Sequence, residues 1–213
     1  MKHRSFLISA ILLLCGISSL FAGDTDTGKD VTTTATEVPA FRHGAQEVQL
    51  VDGAMLSLSG NTTRRPELNY AIEAVRYGYI WNDVYGPSFW HGNDEFLVEA
   101  FGGEVFKGPG NALGGGMIMV RHNFVNEGCP VVPYVEIGGG ALDNDIYHDQ
   151  SQRRIGEAFE FTLHGGAGLR WMINNHWAFS VEGDYRHISN ANLASRNSGL
   201  DSLGGLLGLN YLF

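Results

Sequence analysis

The stretch that decides the fold runs Phe159-Glu-Phe-Thr-Leu-His-Gly-Gly-Ala-Gly-Leu-Arg-Trp171. Its odd-numbered positions are all apolar or glycine, whereas its even-numbered positions carry Glu160, His164 and Arg170 among smaller residues. Because successive side chains point to opposite faces of a β-strand, this pattern predicts a strand with one apolar and one polar face. The stretch is also longer than the ~10 residues that a tilted strand needs to cross a bilayer.

The same alternation extends outward from this stretch. Trp177–Ser189 follows it in the same phase, and eight strand-length segments separated by turn residues run from residue 46 to the end. We place them at residues 47–57, 70–81, 95–106, 112–123, 131–142, 157–171, 177–189 and 202–213. The second segment changes phase near Arg76, and the fourth is ambiguous between Met117/Met119 and Ile118/Val120. A bulge or a displaced boundary would explain either irregularity.

Eight long alternating segments predict an all-β fold, namely an eight-stranded antiparallel transmembrane β-barrel of an outer membrane. Closure into a barrel removes the sheet edges that lipid could not satisfy. A soluble sandwich or a lipocalin-like barrel would alternate as well. Three features favour the membrane barrel: aromatic residues near strand ends, the aromatic chain end Tyr211-Leu-Phe213, and the lone Cys129 beyond the N-terminal segment, which excludes an intrachain disulfide there.

The N-terminal segment predicts export. A basic start at Lys2–Arg4, an apolar run from Phe6 to Leu14 and a small residue at Ala22 are typical of a cleavable signal peptide over residues 1–22. Residues 23–45 predict a flexible exported leader, and residues 46–213 the barrel. We therefore expect the protein in the cell outer membrane of a Gram-negative type. Its formal charge of −9 argues against nucleic acid as a partner.

Three polar residues share the odd parity of the apolar face near the C-terminus: His187, Ser189 and Asp201. Residues two apart on a strand are separated by about 6.5 Å, so the imidazole can lean towards the hydroxyl. Asp201 begins the next antiparallel segment and is placed to orient the imidazole. The set predicts a nucleophile, a base and an acid, with Asn197 and loop N–H groups as oxyanion donors. The alternative is a non-catalytic barrel with a structural or surface-binding role, in which these are ordinary rim residues.

The other polar clusters favour structure over chemistry. The remaining histidines show no metal-ligand spacing with cysteine or carboxylates, so we predict neither a metal nor a cofactor. The glycine triplets at residues 114–116 and 138–140 fall inside strands, where glycine permits curvature. Acidic and basic side chains of the polar face predict interior ion pairs. They are Glu99, Glu136, Glu160, Glu182 and Asp184 with Arg121, Arg170 and Arg186.

The sequence His187-Ile-Ser-Asn-Ala, followed by Asn197-Ser-Gly-Leu-Asp201, resembles the C-terminal signature of PagL-type lipid A 3-O-deacylases, in the wider acyloxyacyl hydrolase group. The resemblance covers about the last thirty residues, while the remainder agrees in length and strand count. The acid of that family is usually Glu, whereas this chain has Asp at the matching position.

The resemblance implies an outer-membrane serine esterase with Ser189 as nucleophile, His187 as base and Asp201 as orienting acid. It implies Asn197 at the oxyanion, and we count Asn190 as a supporting residue. The implied substrate is lipid A of lipopolysaccharide, cut at an ester-linked acyl chain in the 3-position, and no cofactor is implied. Membrane lipid would surround the barrel, and a homodimer is compatible with it.

Overall fold

The computed structural model describes residues 40–58, 62, 64–126 and 128–213. The predicted signal peptide and most of the predicted leader lie outside these residues. The strands are β1 (Gln46–Ser57), β2 (Asn69–Ile80), β3 (Asn93–Lys107), β4 (Ala112–Asn123), β5 (Val131–Asn144), β6 (Phe159–Met172), β7 (Trp177–Ser189) and β8 (Leu200–Leu212). Two short 3₁₀ turns span Ser88–Trp90 and Ile146–His148. Within the described ranges, no helix is long and apolar enough to cross a membrane.

Each strand pairs antiparallel with the next, and β1 pairs with β8, which closes the barrel. The predicted fold class is thereby confirmed, and every predicted strand boundary lies within two residues of the observed one. Four connections, after β1, β3, β5 and β7, meet at one end, which we call the rim end. The end of β8 and the connections after β2, β4 and β6 lie at the opposite, terminal end.

The wall of the barrel is apolar on its outside, as the alternation predicts. Four odd-numbered apolar residues of β6 and β8 expose between 40 and 60% of their surface: Phe159, Phe161, Leu163 and Leu207. In β4 the ambiguity is resolved, because Met117 and Met119 are buried whereas Ile118 and Val120 are exposed.

The predicted change of phase in β2 is wrong. Even-numbered residues face the interior along the whole strand, from Tyr70 and Ile72 to Arg76 and Ile80. The sequence misleads here because the rim half of the interior is itself apolar. A strand crossing that half carries apolar residues on both faces and loses its visible alternation.

A layer of buried charges, the charged belt, fills the middle of the barrel between two apolar clusters. Arg76 Nε lies 2.7 Å from Glu99 Oε2, and Arg121 Nε lies 2.7 Å from Glu136 Oε2. Buried charges are tolerated only with such partners, so the belt is an ion-pair network. Its members are Glu47, Arg76, Glu95, Glu99, Arg121, Glu136, His164, Arg170, Glu182, Asp184 and Arg186.

Glu160 is the exception to the predicted interior ion pairs. Its Oε1 accepts the backbone N–H groups of Gly156 and Glu157, each at 3.0 Å. The reason is its height in the barrel, since Glu160 is the second residue of β6, beside the β5–β6 connection and above the charged belt. The other predicted interior acids and arginines do lie in the belt.

The residues just before β1 pack at the terminal end. Phe41 is 2% exposed and belongs to an apolar cluster with Ile80, Val132 and Leu212. Its carbonyl accepts the side-chain amide of Asn93 at 2.9 Å. Ala40, Phe41 and Ala45, which the sequence assigns to the flexible leader, are thus buried against the barrel, whereas residues 42–44 are exposed. The division of residues 1–39 stays a prediction.

Candidate active site

The three predicted site residues meet on two neighbouring strands at the rim end. His187 and Ser189 lie at the end of β7, and Asp201 is the second residue of β8. The register places His187 directly opposite Asp201. All three are partly exposed on the outer wall, whereas their neighbours Ile188 and Ser202 are buried. Strand parity therefore predicted the side of the wall correctly.

Two hydrogen bonds join the three side chains. His187 Nδ1 lies 2.7 Å from Asp201 Oδ1, and His187 Nε2 lies 3.0 Å from Ser189 Oγ. A carboxylate only accepts hydrogen bonds, so Nδ1 carries the proton and Nε2 is left to accept one from the serine hydroxyl. Although Asp is shorter than Glu, its carboxylate reaches the imidazole because the two residues are cross-strand partners.

Apolar side chains flank this group along the wall. Phe161 of β6 is the register partner of Ser189, and Leu163 is the partner of His187. Both face outward, with 40 and 60% of their surface exposed. The serine hydroxyl therefore lies where a lipid-facing wall meets the polar connections of the rim end.

Hydrogen bonds of the Asn190 and Asn197 side-chain amides stabilise the connection between β7 and β8. The N–H of Asn190 donates to Asn197 Oδ1 at 3.0 Å, and Asn190 Nδ2 donates to the Arg196 carbonyl at 3.1 Å. Asn197 Nδ2 donates to Asn192 Oδ1 at 3.1 Å. Among the described residues, neither amide side chain bonds to Ser189 or His187. The support role of Asn190 and the oxyanion role of Asn197 stay predictions.

Gly199 closes this connection against the imidazole. Its φ is +71°, and a Cβ atom there would lie 3.1 Å from His187 Cε1. The positive φ favours glycine, and any larger residue would also have to push the imidazole aside by a few tenths of an ångström. The sequence signature contains this residue, but nothing in the spacing shows that it touches the catalytic histidine candidate.

Sequence reasoning missed two further residues at the site. The hydroxyl of Tyr185 donates to Asp201 Oδ1 at 2.7 Å. Its position two residues before His187, on the same face, was an available signal. The guanidinium of Arg154 donates to the carbonyls of Pro66 at 2.7 Å and Gly199 at 3.3 Å. Arg154 comes from the β5–β6 connection, and no sequence spacing indicates that contact.

Burial is the main cause that lowers the pKa of the Arg154 guanidinium, and neighbouring Arg65 acts in the same direction while Asp201 opposes it. An arginine stays charged under any such shift. Arg154 therefore places a fixed positive charge near Asp201 and ties three rim connections together.

One buried group has the composition of a metal site. Ligand atoms of Glu136, His164 and Glu182 lie within 4.8 Å of one another. However, His164 already bonds Glu136 at 2.8 Å and Asp184 at 3.0 Å, and Arg76 contacts Glu182 at 2.8 Å. With arginine supplying the positive charge, this donor set suits ion pairing within the charged belt.

A closed eight-stranded barrel with an apolar outer wall and a filled, charged interior defines the class of small outer-membrane β-barrels. Several solved structures are similar to the chain, among them two of this class. The outer membrane enzyme PagL matches with a TM-score of 0.54 at 19% identity, covering 76% of this chain and 97% of that one. Neisserial surface protein A matches with a TM-score of 0.52 at 16% identity, covering 80 and 98%. At these identities the likeness shows the fold.

The sequence model of the PagL family, lipid A 3-O-deacylase, matches residues 52–210, and the chain therefore belongs to that family. No curated protein matches the chain. The match runs from β1 to β8 and includes the site. The resemblance noted from the C-terminal motif is thus confirmed, and the chain is an outer-membrane barrel of a family of lipid A deacylases, which are hydrolases.

Proposed function

We propose that this protein hydrolyses the ester-linked acyl chain at the 3-position of lipid A, with Ser189 as its nucleophile. The observation that carries the proposal is the unbroken hydrogen-bond chain from Ser189 through His187 to Asp201 on the lipid-facing wall. Family membership supports the substrate class. The hydrogen-bond chain supports the serine mechanism.

In the proposed reaction, Ser189 Oγ attacks the ester carbonyl carbon while His187 Nε2 takes the hydroxyl proton. Collapse of the tetrahedral intermediate breaks the bond to the sugar oxygen, and His187 returns the proton to that oxygen. Water then attacks the acyl-serine with His187 again acting as base, which releases the fatty acid and restores Ser189. Asp201 holds the Nδ1–H of the imidazole and stabilises the imidazolium during both halves.

The negative charge on the carbonyl oxygen requires hydrogen-bond donors. The backbone N–H groups of Ser198 and Gly199 already donate to carbonyls of the β5–β6 connection. Ala191 and Asn192 follow the serine with positive φ values of 51° and 66°. We assign the oxyanion donors to the backbone N–H groups of Ala191 and Asn192 and to the side-chain amide of Asn197. The Asn197 amide would exchange its present partner, Asn192 Oδ1, for the substrate oxygen.

The position of the site favours a lipid substrate of the outer leaflet. In small barrels of this class both termini lie in the periplasm, so the rim end faces outward. Phe161 and Leu163 beside the site would contact acyl chains, while the connections above them contact sugars. Lipopolysaccharide is the lipid of that leaflet in Gram-negative outer membranes.

The test uses purified, refolded protein in detergent with lipid A, measuring the fatty acid released. We expect Ser189→Ala and His187→Ala each to abolish release, and the double variant to be no worse, because the members of such a unit do not act independently. Ser198→Ala removes an exposed hydroxyl from the same connection and should keep full activity.

Heat-modifiability on gels should be the same for all four variants. Release of a 3-O-linked chain by the parent supports the position that we propose. Full activity of Ser189→Ala would contradict the serine mechanism. Absence of release by the folded parent would leave the non-catalytic barrel as the remaining interpretation.

A further inference from the structure

Tyr185 adds a fourth member to the hydrogen-bond chain. Its hydroxyl donates to Asp201 Oδ1 at 2.7 Å, and the same oxygen accepts His187 Nδ1 at 2.7 Å. We propose that Tyr185 is a positioning residue, which holds the Asp201 carboxylate in the orientation that His187 requires. The proposal rests on the proposed function, since it assigns Tyr185 a part in the same reaction.

The register explains how a tyrosine reaches this oxygen. Tyr185 pairs with Leu203 across β7 and β8, and Asp201 lies two residues before Leu203 on the same face. Diagonal neighbours of this kind are about 7–8 Å apart, a span that aromatic side chains can bridge. The phenol therefore extends along the wall to the carboxylate, whereas a shorter side chain at residue 185 would not.

Asp201 needs a second restraint because of where it stands. Its side chain is 39% exposed on the outer wall, so water and lipid headgroups compete for its oxygens. The bond to His187 leaves the carboxylate free to turn about that one contact. A second donor on the same oxygen fixes that oxygen towards the imidazole. Tyr185 is suited to this place, since its ring faces lipid and its hydroxyl faces a polar partner.

The fixed charge of Arg154 makes the restraint more important. Arg154 attracts Asp201, and its guanidinium is held beside the site by hydrogen bonds to the carbonyls of Pro66 and Gly199. A carboxylate that turned towards this guanidinium would leave Nδ1 of His187 without its acceptor. The hydroxyl of Tyr185 opposes that movement.

The experiment is a double-mutant cycle on lipid A hydrolysis with purified protein. Tyr185→Phe keeps the ring and removes only the hydroxyl. We expect kcat to fall roughly tenfold, the usual scale for losing one hydrogen bond to a charged group, with KM unchanged. In an Asp201→Ala background the same substitution should have no effect, because the carboxylate that it positions is gone.

Tyr79→Phe is the matched control, because Tyr79 also faces lipid but lies at the terminal end. It should leave kcat unchanged, and heat-modifiability should show that every variant folds. Two results would overturn the positioning role, provided that Ser189→Ala is inactive. One is the same kcat for the parent and Tyr185→Phe. The other is a fall in kcat on Tyr185→Phe that is as large in the Asp201→Ala background as in the parent. An active Ser189→Ala would instead overturn the proposed function itself.

Discussion

At the scale of single residues, the site depends on the His187 imidazole, whose two ring nitrogens bond to two different side chains. A serine hydroxyl is a weak nucleophile until a base accepts its proton, and His187 Nε2 is 3.0 Å from Ser189 Oγ. The other ring nitrogen is fixed by Asp201. Anything that displaces the ring by a fraction of an ångström weakens both contacts, so residues that merely touch the imidazole matter as well.

Gly199→Ala tests this dependence on the ring position. A Cβ at residue 199 would lie 3.1 Å from His187 Cε1, and the positive φ adds strain of about 1–2 kcal/mol. We expect hydrolysis of lipid A to fall at least tenfold while the barrel still folds. Gly205→Ala is the control, since a Cβ there meets nothing within 4 Å. Equal activity of the two variants would show that the imidazole tolerates displacement.

Substitution of the acid tests the length of the side chain at residue 201. Asp201→Ala should lower the rate substantially without abolishing it, because the acid is the least critical member of such a unit. Asp201→Glu should be no faster than the parent, because the Asp carboxylate already lies 2.7 Å from both His187 Nδ1 and the Tyr185 hydroxyl. Rates of ester hydrolysis in detergent measure both effects, and a faster Asp201→Glu variant would contradict this account.

At the scale of strands and connections, the sequence predicts the strands with regular alternation, but it does not predict the contacts that the connections make. The sequence predicts β6 and β7 because one face is apolar and the other polar along their length. It fails in the rim half of β2, where Tyr70 and Ile72 pack inside an apolar cluster. The three site residues could be placed on one face by parity. The contacts of Arg154 and Gly199 could not, because they depend on how three connections fold over the rim.

The β5–β6 connection contains an acid whose titration can be followed. Partial burial of Asp145 raises its pKa, but hydrogen bonds from the N–H groups of Asn111 and Ala112 more than offset this and leave the pKa below its usual value. The carboxylate therefore stabilises this contact above the unfolded pKa of about 3.9. The stabilisation is lost as the pH falls through the lower, folded pKa.

We expect the amide proton shifts of Asn111 and Ala112, followed by NMR in detergent micelles, to titrate with a midpoint below about 3.9. Asp145→Asn should remove this titration, because its amide oxygen still accepts the two N–H groups but does not ionise. A midpoint at or above the ordinary value in the parent would show that these hydrogen bonds do not hold the carboxylate.

At the scale of the whole molecule, the interior consists of layers rather than a channel lining. An apolar cluster lies under the rim end, the charged belt lies in the middle, and a second apolar cluster closes the terminal end. The sequence predicted interior ion pairs from the polar face of the strands. It did not predict the second cluster, because Phe41 precedes β1 and belongs to no alternating segment. Its ring lies 5.2 Å from the Arg170 guanidinium.

Phe41→Ala should therefore destabilise the barrel. Truncating a buried phenylalanine costs about 3–5 kcal/mol, and here it also uncovers the charged belt from the terminal end. We expect the heat-modifiable gel band to convert at a lower temperature than in the parent. Phe89→Ala is the control, since Phe89 lies in a connection at the same end and is 80% exposed. Equal conversion temperatures for the two variants would mean that residues 40–45 contribute little to stability.

The central claim is that this barrel removes an acyl chain from lipid A by means of Ser189. The most direct measurement is the mass spectrum of lipid A from Gram-negative cells that produce the parent chain, Ser189→Ala or neither. The account predicts a new lipid A species, lighter by one hydrolysed 3-O-acyl group, in cells with the parent alone. Identical spectra for all three, with the parent folded in the outer membrane, or the same new species with Ser189→Ala, would contradict it.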